Sequence, residues 1–388
     1  MIHSFAYEDL DSGWRLEPAH FGSVNLLVGP SGVGKTKILQ ALDAVKQAAL
    51  QGLHGLASCR WRLQVEIGDQ RFLWSGEIRV TFASTPYAIH GEDDSASATD
   101  AHFVREEIRE GEQIIVSRAD DFFFRGEKLP KLDVKTSAIE LLSSEEELRP
   151  LASALQRLKM PRTEFTLFRG ALGTLERAEA DRRRLGGELA ALAEESAMSV
   201  PWKLYILQHD HPQVFAQILD GFREIFPTVQ ELKVGTWEEL GFKPRLEESF
   251  MASRMALGMK EEGVTGWVLH QDFSSGMEKA LNLLVESELA PRGTVFLIDE
   301  LENSLGFNCL PDIAGLVLRG LDRIQFIATS HHPQVINDIP TRFWKLVTRR
   351  GPVVQVLDAS EIPALSTAST LEKFTQLLNL PEYEEGVA

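Results

Sequence analysis

The stretch SVNLLVG (23–29) is apolar but for Ser23 and Asn25 and closes on Gly29-Pro30, the pattern of a short strand covered on both faces. A helix is predicted next: Ile38, Leu42, Val45 and Ala49 keep the i, i+4, i+7 period of one buried face, and Lys35 and Thr36 stand at its start. WRLQVEI (61–67) and RFLWSGEIRVTF (71–82) alternate around Gly68-Asp69-Gln70, which predicts an antiparallel hairpin, and QIIVS (113–117) reads as a further strand. Ser144 and Glu147 read as an S-x-x-E capping box ahead of a helical stripe of Leu148, Leu151, Ala152, Leu155 and Leu158, so a new segment begins near 137. Residues 163–225 are helical in pattern and charged, with the breaker Gly186-Gly187 inside them, and predict an inserted arm; no heptad pattern lasts long enough for a coiled coil. From 294 buried strands return as TVFLI (294–298) and IQFIAT (324–329), then WKLVT and PVVQVL as a terminal hairpin. No internal repeat is visible.

The junction of the first strand and helix spells Gly29-Pro30-Ser31-Gly32-Val33-Gly34-Lys35-Thr36, a complete G-x-x-x-x-G-K-T in the strand-to-helix context that it requires. Glycines let such a loop wrap closely enough for successive N–H groups to face a phosphate chain, and the helix N-terminus adds its positive end. Lys35 is then expected to reach the β- and γ-phosphates, and the Thr36 hydroxyl to ligate Mg2+. Asp299 and Glu300 end the strand at 294–298. Downstream of a phosphate loop, Asp299 suits the metal shell, and Glu300 suits orienting or deprotonating an attacking water. Ile327-Ala328-Thr329-Ser330-His331-His332-Pro333 again runs a buried strand into polar residues, and His331 suits a hydrogen bond to the γ-phosphate or the water. Finally, Phe273-Ser274-Ser275-Gly276-Met277-Glu278 opens a helix-like run. Ser274 and Gly276 read as an ordinary N-cap or as a second anion-binding terminus, and on the residues alone the N-cap is the stronger reading.

Composition narrows the classes. The 388 residues, 44% hydrophobic and 25% charged, suffice for one large core or two to three smaller units and exclude disorder. A net charge of -17 disfavours a surface that coats nucleic acid or anionic membrane, while leaving a local basic patch open. The charge is uneven: residues 1–90 carry eight acids and eight bases, whereas 91–112 carry eight acids against two bases. That acidic segment reads as a solvated loop or insertion edge, with an acidic docking surface as the sharper alternative. Arg182-Arg183-Arg184 reads as a solvated helix face before it reads as a DNA contact. Cys59 and Cys309 have no metal-ligand spacing, which predicts neither a disulfide framework nor a zinc module and suits a reducing cytoplasm. No signal-like leader and no uninterrupted run of about 18 apolar residues is present, so neither export nor a membrane span is expected.

Phosphate loop, Ser-x-Gly, Asp-Glu strand and Ser-His strand occur in an order that resembles the ABC-type ATPases. The wording is most similar to the branch containing the SMC, RecF and OLD (overcoming lysogenization defect) ATPases, many of which act on DNA or in antiphage defence. Asn25, Glu224-Ile225-Phe226-Pro227, Lys260-Glu261-Glu262-Gly263 and Ser330-His331-His332-Pro333 support the resemblance over roughly residues 1–50 and 220–350. It implies an α/β P-loop fold: an ABC-ATPase-like head with a mixed sheet flanked by helices, an antiparallel β subdomain and a helical insertion. The division expected is 1–136 for the first part of the head, 137–250 for the arm and 251–388 for the rest of the head. ATP and Mg2+ are the implied ligands. The implied assembly is a homodimer or higher homo-oligomer, with ATP sandwiched between one phosphate loop and the facing Ser274 and Gly276; hydrolysis through Glu300 reopens it.

Several positions depart from the family pattern. Ser275 stands where a second glycine or an Asp is usual, and Gly306 ends the loop Asn303-Ser304-Leu305-Gly306 where Asp or His is usual. The Mg2+-sensing Gln has only Gln113 as a candidate. OLD relatives carry a C-terminal nuclease domain, for which the 57 residues after His331 are too few, so an effector is expected on a separate chain. Two functions follow: a sensor and regulator of that effector in prokaryotic antiphage defence, or a repair or chromosome-maintenance ATPase that grips duplex DNA. A scaffold without turnover is disfavoured by the intact Glu300, and membrane transport by the lack of a spanning segment.

Overall fold

In the computed structural model, which describes residues 1–82, 99–160, 173–195, 198–242, 254–366, 370–380 and 383, the predicted periods become the following elements. First come β1 (Ile2–Asp9), β2 (Arg15–His20), β3 (Val24–Val28), α1 (Lys35–Leu50), β4 (Cys59–Ile67), β5 (Gln70–Phe82), β6 (Thr99–Glu110), β7 (Gln113–Arg118), β8 (Phe122–Phe124), β9 (Glu127–Leu129), α2 (Ala138–Leu141), α3 (Arg149–Gln156) and β10 (Leu158–Lys159). The middle holds α4 (Leu175–Leu185), α5 (Leu189–Glu194), α6 (Val200–Asp210), α7 (Pro212–Ile225), β11 (Val229–Thr236), β12 (Met255–Glu261), β13 (Val268–Leu269) and α8 (Ser275–Leu289). The chain continues through β14 (Thr294–Ile298), α9 (Leu310–Arg319), β15 (Ile324–Thr329), α10 (Pro333–Asp338), β16 (Trp344–Arg350), β17 (Val353–Asp358), α11 (Pro363–Ser366) and α12 (Thr370–Leu378). They form two compact units: Met1–Met160 with Gly293–Asp299 and Gln325–Ala388, and Pro161–Arg292 with Glu300–Ile324.

The first unit is built on a mixed sheet in the order β10-β14-β15-β3-β16-β17-β2-β1-β4-β5-β6-β7-β8-β9. β3 runs parallel to β15 on one flank and to β16 on the other, and all five of its residues are buried. Full coverage explains why it reads as a run instead of an alternation. Asn25 fixes the register: its amide exchanges two 2.8 Å bonds with Gly22 and donates to the Phe326 carbonyl at 3.0 Å. Ile38, Leu42, Val45 and Ala49 of α1 are buried, as their spacing predicts. Farther along the sheet, β4 to β7 are antiparallel, and β4 alternates in burial. Cys59 and Cys309 are free thiols, and both are buried.

Three expectations are corrected. The acidic stretch is not a loop over its whole length: Thr99–Glu110 is β6, paired with β5 and β7, and Phe103, Glu106 and Ile108 are buried, with a register irregularity between Phe103 and Arg105. Residues 91–98 lie outside the described residues. The helix after Ser144 has no side-chain cap, because α3 starts behind Leu148 and Glu147 pairs with Arg125 instead. The same S-x-x-E spelling seven residues earlier caps a different helix, α2, with the Ser137 hydroxyl oxygen accepting from Glu140 N–H at 3.0 Å. Gln113 opens β7 at an exposed turn, eight strands along the sheet from β3, which withdraws it as the metal sensor.

The second unit packs α4 to α9 with an antiparallel sheet β11-β12-β13. Its expected helical arm is a set of short helices; residues 161–172 and 196–197 lie outside the described residues. Arg182 pairs with Asp210 and Glu179, and Arg184 with Glu195 and Asp181, so two of the three consecutive arginines hold the unit together. Among the described residues no helix is long and apolar enough to cross a membrane.

Candidate functional site

The phosphate loop lies in the first unit between β3 and α1. Gly29 has φ +150°, and a Cβ there would stand 2.4 Å from the Val347 carbonyl oxygen; Gly34 has φ +107° and would press a Cβ within 3.2 Å of the Trp14 indole. Only glycine suits both positions. Gly34 is also the N-cap of α1, which therefore has no side-chain cap, and the first turn carries Lys35 and Lys37 with no acid. A helix start built this way favours an anion from outside the helix. Lys35, 4% exposed, donates from Nζ to the Gly29 and Pro30 carbonyls at 2.8 Å each, so its charge is held against the loop.

Asp299 gathers the chemistry of three motifs. Its Oδ1 accepts the Thr36 hydroxyl at 2.9 Å and the Thr329 hydroxyl at 2.7 Å. Thr36 is the second residue of α1, Asp299 follows β14 and Thr329 ends β15, so the order of strands in the sheet, not proximity in sequence, brings them together. Among the described residues no group of three or more His, Cys, Asp or Glu side chains forms a metal cage. One carboxylate beside one hydroxyl at a phosphate loop fits Mg2+, which is held by few protein oxygens together with phosphates. Thr329 was not among the residues expected here; its signal is that it closes a buried strand two residues before His331.

Beyond Thr329, His331 is exposed, whereas His332 caps α10, its Nδ1 accepting from Gln334 N–H at 3.1 Å. On the other flank of the loop, Lys37 donates to Asp9 Oδ2 at 2.9 Å, with its ammonium 4.8 Å from the Trp14 ring centroid. Partial burial pushes the Asp9 carboxyl up, but the Ser12 hydroxyl and N–H and the Lys37 ammonium outweigh it and hold it at about 2. A carboxyl depressed on folding stabilises the fold above its unfolded value of about 3.9, and that stabilisation disappears as pH falls through the folded value. The stability gap between wild type and Asp9→Asn in urea unfolding is therefore expected to be full at about pH 6 and to shrink between about pH 4 and 2. A gap that stays constant through that window would mean that the Asp9 charge does not hold Lys37.

The second unit holds the remaining predicted residues. Ser274 is the N-cap of α8, its Oγ accepting from Met277 N–H at 3.2 Å, so the ordinary cap reading is realised. Gly276 packs where a Cβ would stand 2.7 Å from the Ser304 carbonyl oxygen, which gives the glycine a steric reason of its own. Glu300 is exposed and has φ +48°, and Ser304 has φ +66°; both are strained settings for residues with a Cβ. A fully buried lysine of α8 braces this turn: Lys279 donates to the carbonyls of Glu300 at 2.8 Å and Asn303 at 2.9 Å. Lys279 has little signal in the sequence, only a charge directly before the apolar positions Ala280, Leu281, Leu283 and Leu284.

The SMC head solved bound to the C-winged helix domain of ScpA superposes with a TM-score of 0.50 at 11% identity, covering 92% of this chain and 96% of that one. The SMC head domain from Thermotoga maritima gives 0.41 at 13% identity over 92% and 98%. The first of these likenesses shows the fold, a mixed α/β fold with a large mixed sheet flanked by helices as in P-loop ATPase heads. No curated protein matches the chain. Residues 24–337, which run from β3 through α10, match the family described as AAA domain, putative AbiEii toxin, Type IV TA system, and the chain belongs to that family of AAA-type ATPase domains.

Proposed function

We propose that this chain is an ATP- and Mg2+-dependent switch in prokaryotic antiphage defence, hydrolysing ATP to change shape and passing that change to a separate effector protein, a nuclease or a toxin. The observation that carries the ATPase reading is the double hydroxyl contact on Asp299 Oδ1, which joins the phosphate loop to both strand ends. The family description, with its putative toxin and toxin–antitoxin system, supports the defence setting. In this reading the N–H groups of Gly29 and of Ser31 through Lys35, with the Lys35 ammonium, hold the β- and γ-phosphates; Pro30 has no N–H to give. Thr36 and Asp299 hold Mg2+, which when bound neutralises charge on the transferring phosphoryl group. Glu300 orients the attacking water and takes its proton, and His331 hydrogen-bonds the γ-phosphate. Ser274 and Gly276 meet ATP held by a second copy of the chain. Capping α8 uses Ser274 only as an acceptor, and its hydroxyl proton remains a donor.

The test uses the full chain with Mg2+ and ATP. Phosphate release and an ATP-dependent doubling of mass in light scattering are expected, and a protein is expected to co-purify with the ATP-bound form. Absence of nucleotide binding would overturn the reading at its base. A RecF- or SMC-like ATPase acting on duplex DNA is the second reading, favoured by the likeness to an SMC head. It predicts instead that DNA co-purifies and that binding falls steeply with salt, as several phosphate contacts require.

A further inference from the structure

The hairpin of β16 and β17 flanks the phosphate loop on the side of β3 away from β15, with Arg349 and Arg350 ending β16 and Gly351-Pro352 making the turn. Leu346 is abreast of Val28, so the next residue, Val347, lies beside Gly29 and its carbonyl leaves no room for a Cβ there. Two residues on, Arg349 reaches the crest of the loop: Nη1 is 3.4 Å from the Gly32 carbonyl oxygen, and Nε donates to Gly351 O at 2.7 Å, which fixes the guanidinium. The Gly32 carbonyl and the Val33 N–H belong to one planar peptide and point in opposite directions. A cation that holds the carbonyl on the hairpin side therefore turns the N–H the other way. The second handle on this peptide is also fixed, because the Val33 side chain is 1% exposed and packs against Gly29.

We propose that Arg349 is a positioning residue of the nucleotide site, orienting the Gly32–Val33 peptide so that the Val33 N–H faces the phosphate chain. The inference rests on the phosphate-loop reading above and adds the end of β16 to that site. Asp299 and Thr329 lie on the opposite flank of β3, so the guanidinium works apart from the metal ligands.

The experiment compares wild type, Arg349→Ala, Arg349→Lys and Lys35→Ala as full chains, measuring ATP and ADP affinities, kcat, KM and Tm. Arg349→Ala is expected to weaken ATP and ADP in parallel by about fivefold, the loss of one hydrogen bond. KM should rise with kcat unchanged within about twofold, since a preformed loop serves ground state and transition state alike. Arg349→Lys should recover part of the affinity, and Tm should stay within about 2 °C because the pair is exposed. Unchanged affinities, a loss for ATP with none for ADP, or a lysine variant as weak as alanine would each overturn the proposal. If Lys35→Ala loses nucleotide while Arg349→Ala keeps it, only the role of Arg349 falls. A wild-type chain that binds no nucleotide overturns the phosphate-loop reading and this inference with it.

Discussion

Glu300→Gln is expected to slow ATP hydrolysis by about 10²- to 10⁴-fold, the range that a positioned general base contributes, while leaving ATP affinity nearly intact. The amide keeps the size of the side chain and cannot take the proton of an attacking water. Folding should survive, because the strain at this position is in the backbone, at φ +48°, and the turn is braced through the Glu300 carbonyl by Lys279. An exposed side chain at that point contributes little to packing. Lys35→Ala should give the opposite phenotype, with ATP binding lost and Tm largely kept, since it removes the cation that the proposed function assigns to the phosphates. Phosphate release at saturating ATP and direct nucleotide titration separate the two. A glutamine variant that turns over at the wild-type rate would remove Glu300 from catalysis, and an alanine variant with normal affinity would remove the phosphate loop. In the proposed switch the glutamine variant also accumulates as an ATP-bound dimer, which light scattering detects.

What the sequence makes legible is the chemistry written in consecutive residues. Gly29 to Thr36 form one uninterrupted motif between a strand and a helix, and Asp299 follows an apolar run, so both stand out in the sequence as candidates. Thr329 and Lys279 act through partners 30 and 21 residues away or more, and nothing local distinguishes them from a strand-end threonine or a helix lysine. Arg349 is harder still, since its meaning depends on β16 lying beside β3, a pairing across more than 300 residues. The charge count also misleads at β6. Eight acids between 91 and 112 suggest solvent throughout, yet the strand period buries Glu106 and pairs Glu107 with Arg109 on the partly exposed face. A net count carries no phase, and phase decides which side of a strand faces the core.

Arg118→Ala is expected to cost about 3–5 kcal/mol, because it strips the partner from a buried carboxylate. Glu106 and Arg118 have side chains 0% and 4% exposed, and their atoms are 3.2 Å apart. The carboxylate also accepts from Trp74 Nε1 at 3.1 Å and from Ala138 N–H at 2.9 Å, while Arg118 donates to the Thr136 and Asp133 carbonyls and lies over the Phe103 and Phe122 rings. The network joins β6 and β7 to the start of α2, where Ser137 donates to the Ala49 carbonyl near the end of the phosphate-loop helix at 2.7 Å. Burial pushes the Glu106 carboxyl up, against the pull of Ala138 N–H, Arg118 and Trp74. Without the arginine the rise is larger. An acid whose folded value exceeds its unfolded value binds more protons folded, so stability falls as pH rises above about 4.3. The variant should therefore lose more stability at pH 8 than at pH 5, with Tm about 10 °C below wild type at neutral pH. Pairing the change with Glu106→Leu removes the stranded charge and should recover most of the loss. Equal destabilisation at both pH values, or no recovery in the double variant, would show that Arg118 acts through packing alone.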